Sequence, residues 1–390
     1  MAAAAVGGLR GMADIGILQA AVYVPAARLP RAVIAQAHAW ANPALKALAK
    51  GRRSFAGWDE DAITMAVAAA RACLAQGAGA SIARLVFATT TAPFQDRANA
   101  VLIAEALGLD ASVAAIESTG SLRAATAALR EALAQGERAS LLLAADRRPA
   151  KPASPQEIKY GDGAVALMLG AGKVLARYLG GSGLNADMVD HYRTGRTHGD
   201  YALEARWLRE AGLGAILPPV IAAALADAGL EAAAIDHVVA PFAPAMLGKA
   251  LAKADMDGAA LADTLFDDIG DSGTPHALVM LCQALARARP GEKLLLLGFG
   301  QGADALIFEA TDEVGRRSPA DIAALPTRTD DNYLKFLSFN NEIRLDWGMR
   351  AERDNRTALP AFYRKRQAIT GFTGGRCRQC GTPQFPKARA

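Results

Sequence analysis

The chain repeats itself. A helical pattern over 61–76 leads into the apolar run 82–91, and a second over 218–228 leads into 235–241, so the two runs begin 153 residues apart (235 − 82). Each half then offers a helix and a fully apolar strand, 140–145 and 294–299, at the nearly equal offset of 154 (294 − 140). Each half finishes with a strand behind a glycine-containing turn: 164–169 after 160–163, and 305–309 after 300–302. Continuous apolar strands that alternate with helices are strands buried on both faces by crossover helices. Two such units at one offset predict a duplicated α/β/α/β/α sandwich. A pair of Rossmann domains is the alternative, but it needs a glycine-rich turn between its first strand and helix, and none is present.

Composition agrees with two large buried units. Of the 390 residues 52% are hydrophobic and 21% charged, enough for an extensive core and too few charges for a disordered chain. Aromatics make up only 6%, and alanine dominates the apolar count, which points to close helix packing. The net charge of +4 comes with no basic cluster interleaved with aromatics, so nucleic-acid binding has little support. No apolar run reaches the length that spans a bilayer, so a membrane role is not expected. The Ala- and Gly-rich opening through Arg10 lacks a charged start and a long apolar stretch, and a start at Met12 is an equal alternative. Cys73 and Cys282 fall in Ala-rich helical patterns as small core residues, and His38 and His237 read as structural. Nothing looks like an extracellular disulfide framework, so a reducing, cytoplasmic compartment is expected. The halves are bounded at 13–170 and 171–312. A polar, Pro-containing linker and helical lead-in follows over 313–370, and a Gly- and Cys-bearing end over 371–390.

The segments Trp-Asp-Glu-Asp-Ala-Ile-Thr-Met (58–65), Ala-Thr-Thr-Thr-Ala-Pro-Phe (88–94), Gly-Ser-Leu-Arg-Ala-Ala-Thr-Ala-Ala-Leu (120–129), Tyr-Gly-Asp-Gly-Ala (160–164) and Gly-Phe-Gly-Gln-Gly-Ala-Asp (298–304) are specific in their order and spacing. Together they resemble the thiolase superfamily, in particular HMG-CoA synthase-like and β-ketoacyl-ACP synthase III-like proteins fused to a zinc-ribbon/OB-fold module. The resemblance covers nearly all of 15–390. It implies a coenzyme A thioester as substrate, an acyltransferase or condensing activity, and a homodimer formed through the first-half sheet. The chemistry of that superfamily needs a cysteine at the tip of a buried helix, a His with an Asn or Glu for the proton or carbanion, and backbone N–H groups for the oxyanion.

Carried over residue by residue, that set is replaced throughout. Leu122 falls where the resemblance expects the cysteine, Thr90 where it expects the Glu, Pro241 near the His, and Asp271 at the Asn. The oxyanion and substrate-binding framework remains: Gly300 and Phe299 in the 298–302 turn, and the helix start near Leu122, with Thr90 opposite. An alternative constellation is His276 as base with Asp271 orienting it, perhaps joined by Ser121, for thioester chemistry without a cysteinyl intermediate. The bland alternative makes His276 a helix cap and Asp271 a turn carboxylate. The stretch Asp190-His191-Tyr192-Arg193, with Arg196 and His198, reads equally as a substrate contact and as a solvated loop.

Cys377 and Cys380 form a CxxC inside a Gly-rich turn, which reads as half of a zinc knuckle in preference to a redox pair. Structural zinc needs four ligands, so a natural continuation carrying a second CxxC and an OB-fold is expected, with partner completion or a metal-free half-site as alternatives. Two rivals to the acyltransferase or condensing reading stand. One is a scaffold subunit that recruits an active thiolase or hydratase partner, and the other is an acyl-CoA C–C lyase.

Overall fold

The computed structural model describes residues 14–77, 81–136, 138–195, 197, 199–202, 204–256, 258–317, 319–346 and 358–387. The first half runs β1 (Ile15–Tyr23), α1 (Ala62–Leu74), β2 (Arg84–Ala88), α2 (Asn99–Leu107), β3 (Ala114–Ser118), α3 (Ala124–Ala134), β4 (Ser140–Arg147) and β5 (Asp162–Ala171). The second runs β6 (Ala176–Asn185), α4 (Gly214–Ala228), β7 (His237–Val239), α5 (Pro244–Ala252), β8 (Ala260–Leu261), α6 (His276–Arg287), β9 (Lys293–Phe299) and β10 (Gly302–Ala310). The order of element types is the same in both halves. So is the pairing. β2 is parallel to β3 and β4, as β7 is to β8 and β9, and the last strand of each half is antiparallel to its neighbours. The strand order β8-β7-β9-β10-β6-β1-β5-β4-β2-β3 therefore reads outward alike from its middle, where β1 and β6 meet through Gly16–Arg177 and Ile17–Ala176.

Alternate residues along each strand serve different layers. Leu142 and Ala144 of β4, with Leu294 and Leu296 of β9, face a central layer made by α3 and α6. Leu141 and Leu143 face α1 and α2 on one outer side. Leu295 and Leu297 face α4 and α5 on the other. The layers are thus helix, sheet, helix, sheet, helix, which accounts for strands that carry no polar alternation.

Two helical expectations need correction. The second-half helix starts well before Pro218: a continuous helix covers Ala205–Ala228, and both Pro218 and Pro219 lie inside α4. Proline removes a donor from the helix ladder. The carbonyl of Gly214, four residues before Pro218, is instead reached by Lys253 Nζ at 2.8 Å. This helix is long and apolar enough to cross a membrane by composition, contrary to the expectation that no such run exists. Its apolar side is half of a core, packed on β6 and β10.

The segment after β10 returns to the first half. The helix Tyr333–Phe339 packs Phe336 and Leu337 among Leu29, Ile34, Phe55 and Ile158. Tyr333 bonds both His38 and Glu157, which makes His38 part of this packing. His237 pairs with Glu292 at 3.2 Å beside the β7–β9 ladder. Cys73 and Cys282 are fully buried, and burial pushes the Cys73 thiol up to about 12.

Candidate functional site

The start of α3 is where the sequence places its most informative residue, Leu122. The turn between β9 and β10 approaches it closely. A side chain at Gly300 would put a Cβ 2.3 Å from Ser121 Oγ and 3.3 Å from the Leu122 nitrogen, and φ there is +152°. Only glycine permits this contact. Ser121 Oγ donates to the Gly300 carbonyl at 2.7 Å and accepts from Arg123 N–H at 3.2 Å. Its proton is therefore committed to a bond that joins the two halves.

Beside this junction lies a cavity of about 210 Å³. The first half contributes Thr90, Thr119, Gly120 and Ser121, and the β9–β10 turn contributes Gln301. The remaining wall is the segment 189–193 with Asp200. That segment is a small hairpin, His191–Tyr192 against Tyr201–Ala202, with the two tyrosine rings 5.2 Å apart. A ladder of charges holds it. Arg193 bonds Asp200 at 2.8 Å and the Thr90 carbonyl at 2.6 Å. Asp200 also receives Arg148 at 3.2 Å and Tyr160 at 3.0 Å, and Arg148 reaches Asp271 at 2.6 Å. Within the cavity wall, His191 Nδ1 and Asp190 Oδ2 lie 2.9 Å apart.

The expected site residues separate. Thr90 and Ser121 line the cavity. Leu122 is half-buried at the helix start and Gly300 is buried behind Gln301, so both support the wall without lining it. Phe299 turns into the outer core, edge-on to Phe242 at 5.7 Å, which corrects its expected place in a substrate site. His276 is corrected as well. It is fully buried, its Nδ1 accepts Ser272 N–H at 3.1 Å, its Nε2 faces the Thr264 carbonyl at 2.9 Å, and its ring stacks on Phe266. Burial pushes its pKa down. With both nitrogens occupied and no face on the cavity, it serves the start of α6. Asp271 takes Gly273 N–H at 2.9 Å besides Arg148. Burial works against its ionisation, but the Arg148 guanidinium outweighs this and holds the carboxyl below its usual range. Pro241 stays out of the cavity wall. Of the 190–198 stretch, Asp190, His191, Tyr192 and Arg193 do line the cavity, while Arg196 and His198 lie outside the described residues.

The two halves have treated equivalent positions differently. At the 154-residue offset, Gly300 corresponds to Asp146 (300 − 146), at the other central helix. Asp146 is fully buried and takes five hydrogen bonds, including Thr274 N–H at 2.8 Å just before α6. A carboxylate thus seals one helix start, and a glycine leaves room beside the other.

No family model matches the chain. It is 28% identical over 349 residues to a hydroxymethylglutaryl-CoA synthase of Aeropyrum pernix, an alignment that spans 85% of this chain and 91% of the relative. Among solved structures, MvaS in complex with 3-hydroxy-3-methylglutaryl coenzyme A superposes with a TM-score of 0.66 at 19% identity, over 80% of this chain and 90% of that one. A 3-oxoacyl-(acyl-carrier-protein) synthase III superposes with a TM-score of 0.62 at 22% identity, over 76% and 99%. The fold is thiolase-like. Within that thiolase-like frame the cavity lies at the start of a central helix, and among the described residues no cysteine lines it.

The C-terminal CxxC forms a hairpin between Gly375–Arg376 and Pro383–Gln384. Cys377 N–H bonds the Thr382 carbonyl and Gly381 N–H bonds the Cys377 carbonyl, so the turn is knuckle-shaped. Zinc in a structural site takes four donors. Among the described residues no third His, Cys, Asp or Glu joins the two sulfurs, so the expected zinc site does not fit the donors this chain brings together.

Proposed function

We propose that the chain binds and processes a coenzyme A thioester, as an HMG-CoA synthase-like protein of the acyltransferase and condensing type that works without a cysteinyl intermediate. One observation carries the reading. An open cavity adjoins the N-terminus of a central helix in a fold whose solved neighbours include an HMG-CoA synthase complexed with CoA. The helix end is an electropositive place for a thioester oxygen. Leu122 has no nucleophilic atom, and Ser121 has its proton directed to Gly300. Bond-making in such a cavity depends on proton transfer to and from a bound thioester. A homodimer through the exposed edge strand β3, where Ile116 is 44% exposed, belongs to the same reading.

A second reading has its own support. A bulky Leu at the helix start suits a scaffold subunit that holds a partner thiolase or hydratase and performs no chemistry. Calorimetry with CoA and acetyl-CoA separates the two. The enzyme reading expects saturable binding of both, lost in Thr119→Trp, whose indole fills the cavity from an exposed position. Absence of binding by the wild-type chain would leave only the scaffold.

A further inference from the structure

The cavity wall contains one acid–base pair that the expected catalytic set leaves unused. Asp190 and His191 are neighbours in sequence, both line the cavity, and Nδ1 lies 2.9 Å from Oδ2. The pair is shielded, with side-chain exposures of 14% and 17%. A carboxylate at Nδ1 fixes the imidazole tautomer with its proton on that nitrogen, which leaves the Nε2 lone pair as acceptor. Among the described residues no hydrogen bond occupies Nε2 of His191, whereas Nε2 of His276, His38 and His237 each has a partner. The hairpin is anchored on both sides, by Arg193 to the Thr90 carbonyl and by Asp200 to buried Arg148, so the pair sits on a braced element.

We infer that Asp190 and His191 are the proton-transfer pair of this cavity, with His191 Nε2 removing a proton from the α-carbon of a bound CoA thioester. The inference rests on the proposed thioester binding and names the base that such binding needs. In the step, the Cα–H bond breaks, its electron pair forms the carbon–carbon double bond of the enolate, and the carbonyl pair moves onto oxygen at the α3 end of the cavity. The proton resides on Nε2, and Asp190 stabilises the imidazolium. Return of a proton to carbon restores the thioester, so the half-reaction needs no oxidant, reductant or second substrate. In D₂O the imidazolium exchanges with solvent, and the returned isotope is deuterium.

The test uses the full chain with acetyl-CoA in D₂O, reading methyl deuteration by mass spectrometry while calorimetry reads binding. Wild-type protein is expected to wash deuterium in well above the buffer rate. His191→Gln should lower that rate by about 100-fold or more, the usual reach of a positioned general base. Asp190→Asn, which leaves the imidazole unsupported, should lower it by about 10-fold or more with binding intact. His237→Gln, on the far ladder, should leave it unchanged, and circular dichroism of each variant establishes that it is folded. Bound acetyl-CoA with no enzyme-dependent exchange, or wild-type exchange in folded His191→Gln, overturns the inference while the binding reading stands. Loss of acetyl-CoA binding by wild-type protein overturns both.

Discussion

Replacing Asp146 by Asn tests whether a buried carboxylate joins the two halves. The substitution keeps the shape, so no void is introduced and only hydrogen bonding and charge change. Oδ1 accepts from Thr89 Oγ1 (2.9 Å), Thr90 N–H (2.8 Å) and Thr91 Oγ1 (2.9 Å), while Oδ2 accepts from Thr90 Oγ1 (3.0 Å) and Thr274 N–H (2.8 Å). The hydroxyls can rotate away from a new NH₂ group, but the two backbone N–H groups cannot. Whichever way the amide is turned, one N–H of Thr90 or Thr274 faces another donor. A buried donor left without a partner costs about 1–3 kcal/mol, and the remaining bonds lose the roughly 1 kcal/mol that separates charged from neutral acceptors. A total loss of about 3–5 kcal/mol is expected, the range for breaking one side of a buried charged network. Urea unfolding followed by circular dichroism reads this as a lowered midpoint at unchanged slope. A midpoint within 1 kcal/mol of wild type, by the same rough scale of a single net hydrogen bond, would falsify the claim that this carboxylate holds the second-half turn against the first-half strands.

Two further outcomes follow from the same central layer. Burial lowers the pKa of His276 below its ordinary 6.5, so its folded form resists protonation. The stability this contributes is present above pH 6.5 and is lost as pH falls towards the folded pKa, with a slope of up to about 1.4 kcal/mol per pH unit. The stability difference between wild type and His276→Asn should therefore shrink from pH 8 to pH 5, and a difference that stays flat refutes the buried, neutral imidazole. At Gly298 an added Cβ would lie 2.0 Å from Thr126 Oγ1 and 2.7 Å from Thr126 Cβ, where β9 crosses α3. Gly298→Ala should cost about 1–3 kcal/mol or more by overpacking, and adding Thr126→Gly should return part of it; an additive double variant in thermal melts contradicts the contact.

How much of this was legible depended on whether a residue's role is set by its own strand or by the equivalent position in the other half. The apolar strands 141–144 and 294–297 announced themselves because both faces of each are buried, and so did their offset. β1 and β6 did not. They meet each other through two residue pairs, and β6 carries Gly180, Gly181 and Gly183, which break any strand pattern. The place of Leu122 at a central helix start was readable from motif order, since that start is marked by the small residues that follow it. The base was not. His276 opens a central helix beside an Asp, but a helix start in a duplicated fold occurs twice, and that pattern alone does not tell which one is open. The signal that could have decided it is the pair of residues at the 154-residue offset. Asp146 can accept five donors and close its helix start, whereas Gly300 brings no side chain at all. That difference puts the open end at α3, where the second-half segment 189–193 with His191 forms a wall of the cavity. Duplication supplied two equivalent helix ends, and the divergence of one residue pair separates an end sealed by a carboxylate from one that adjoins a cavity.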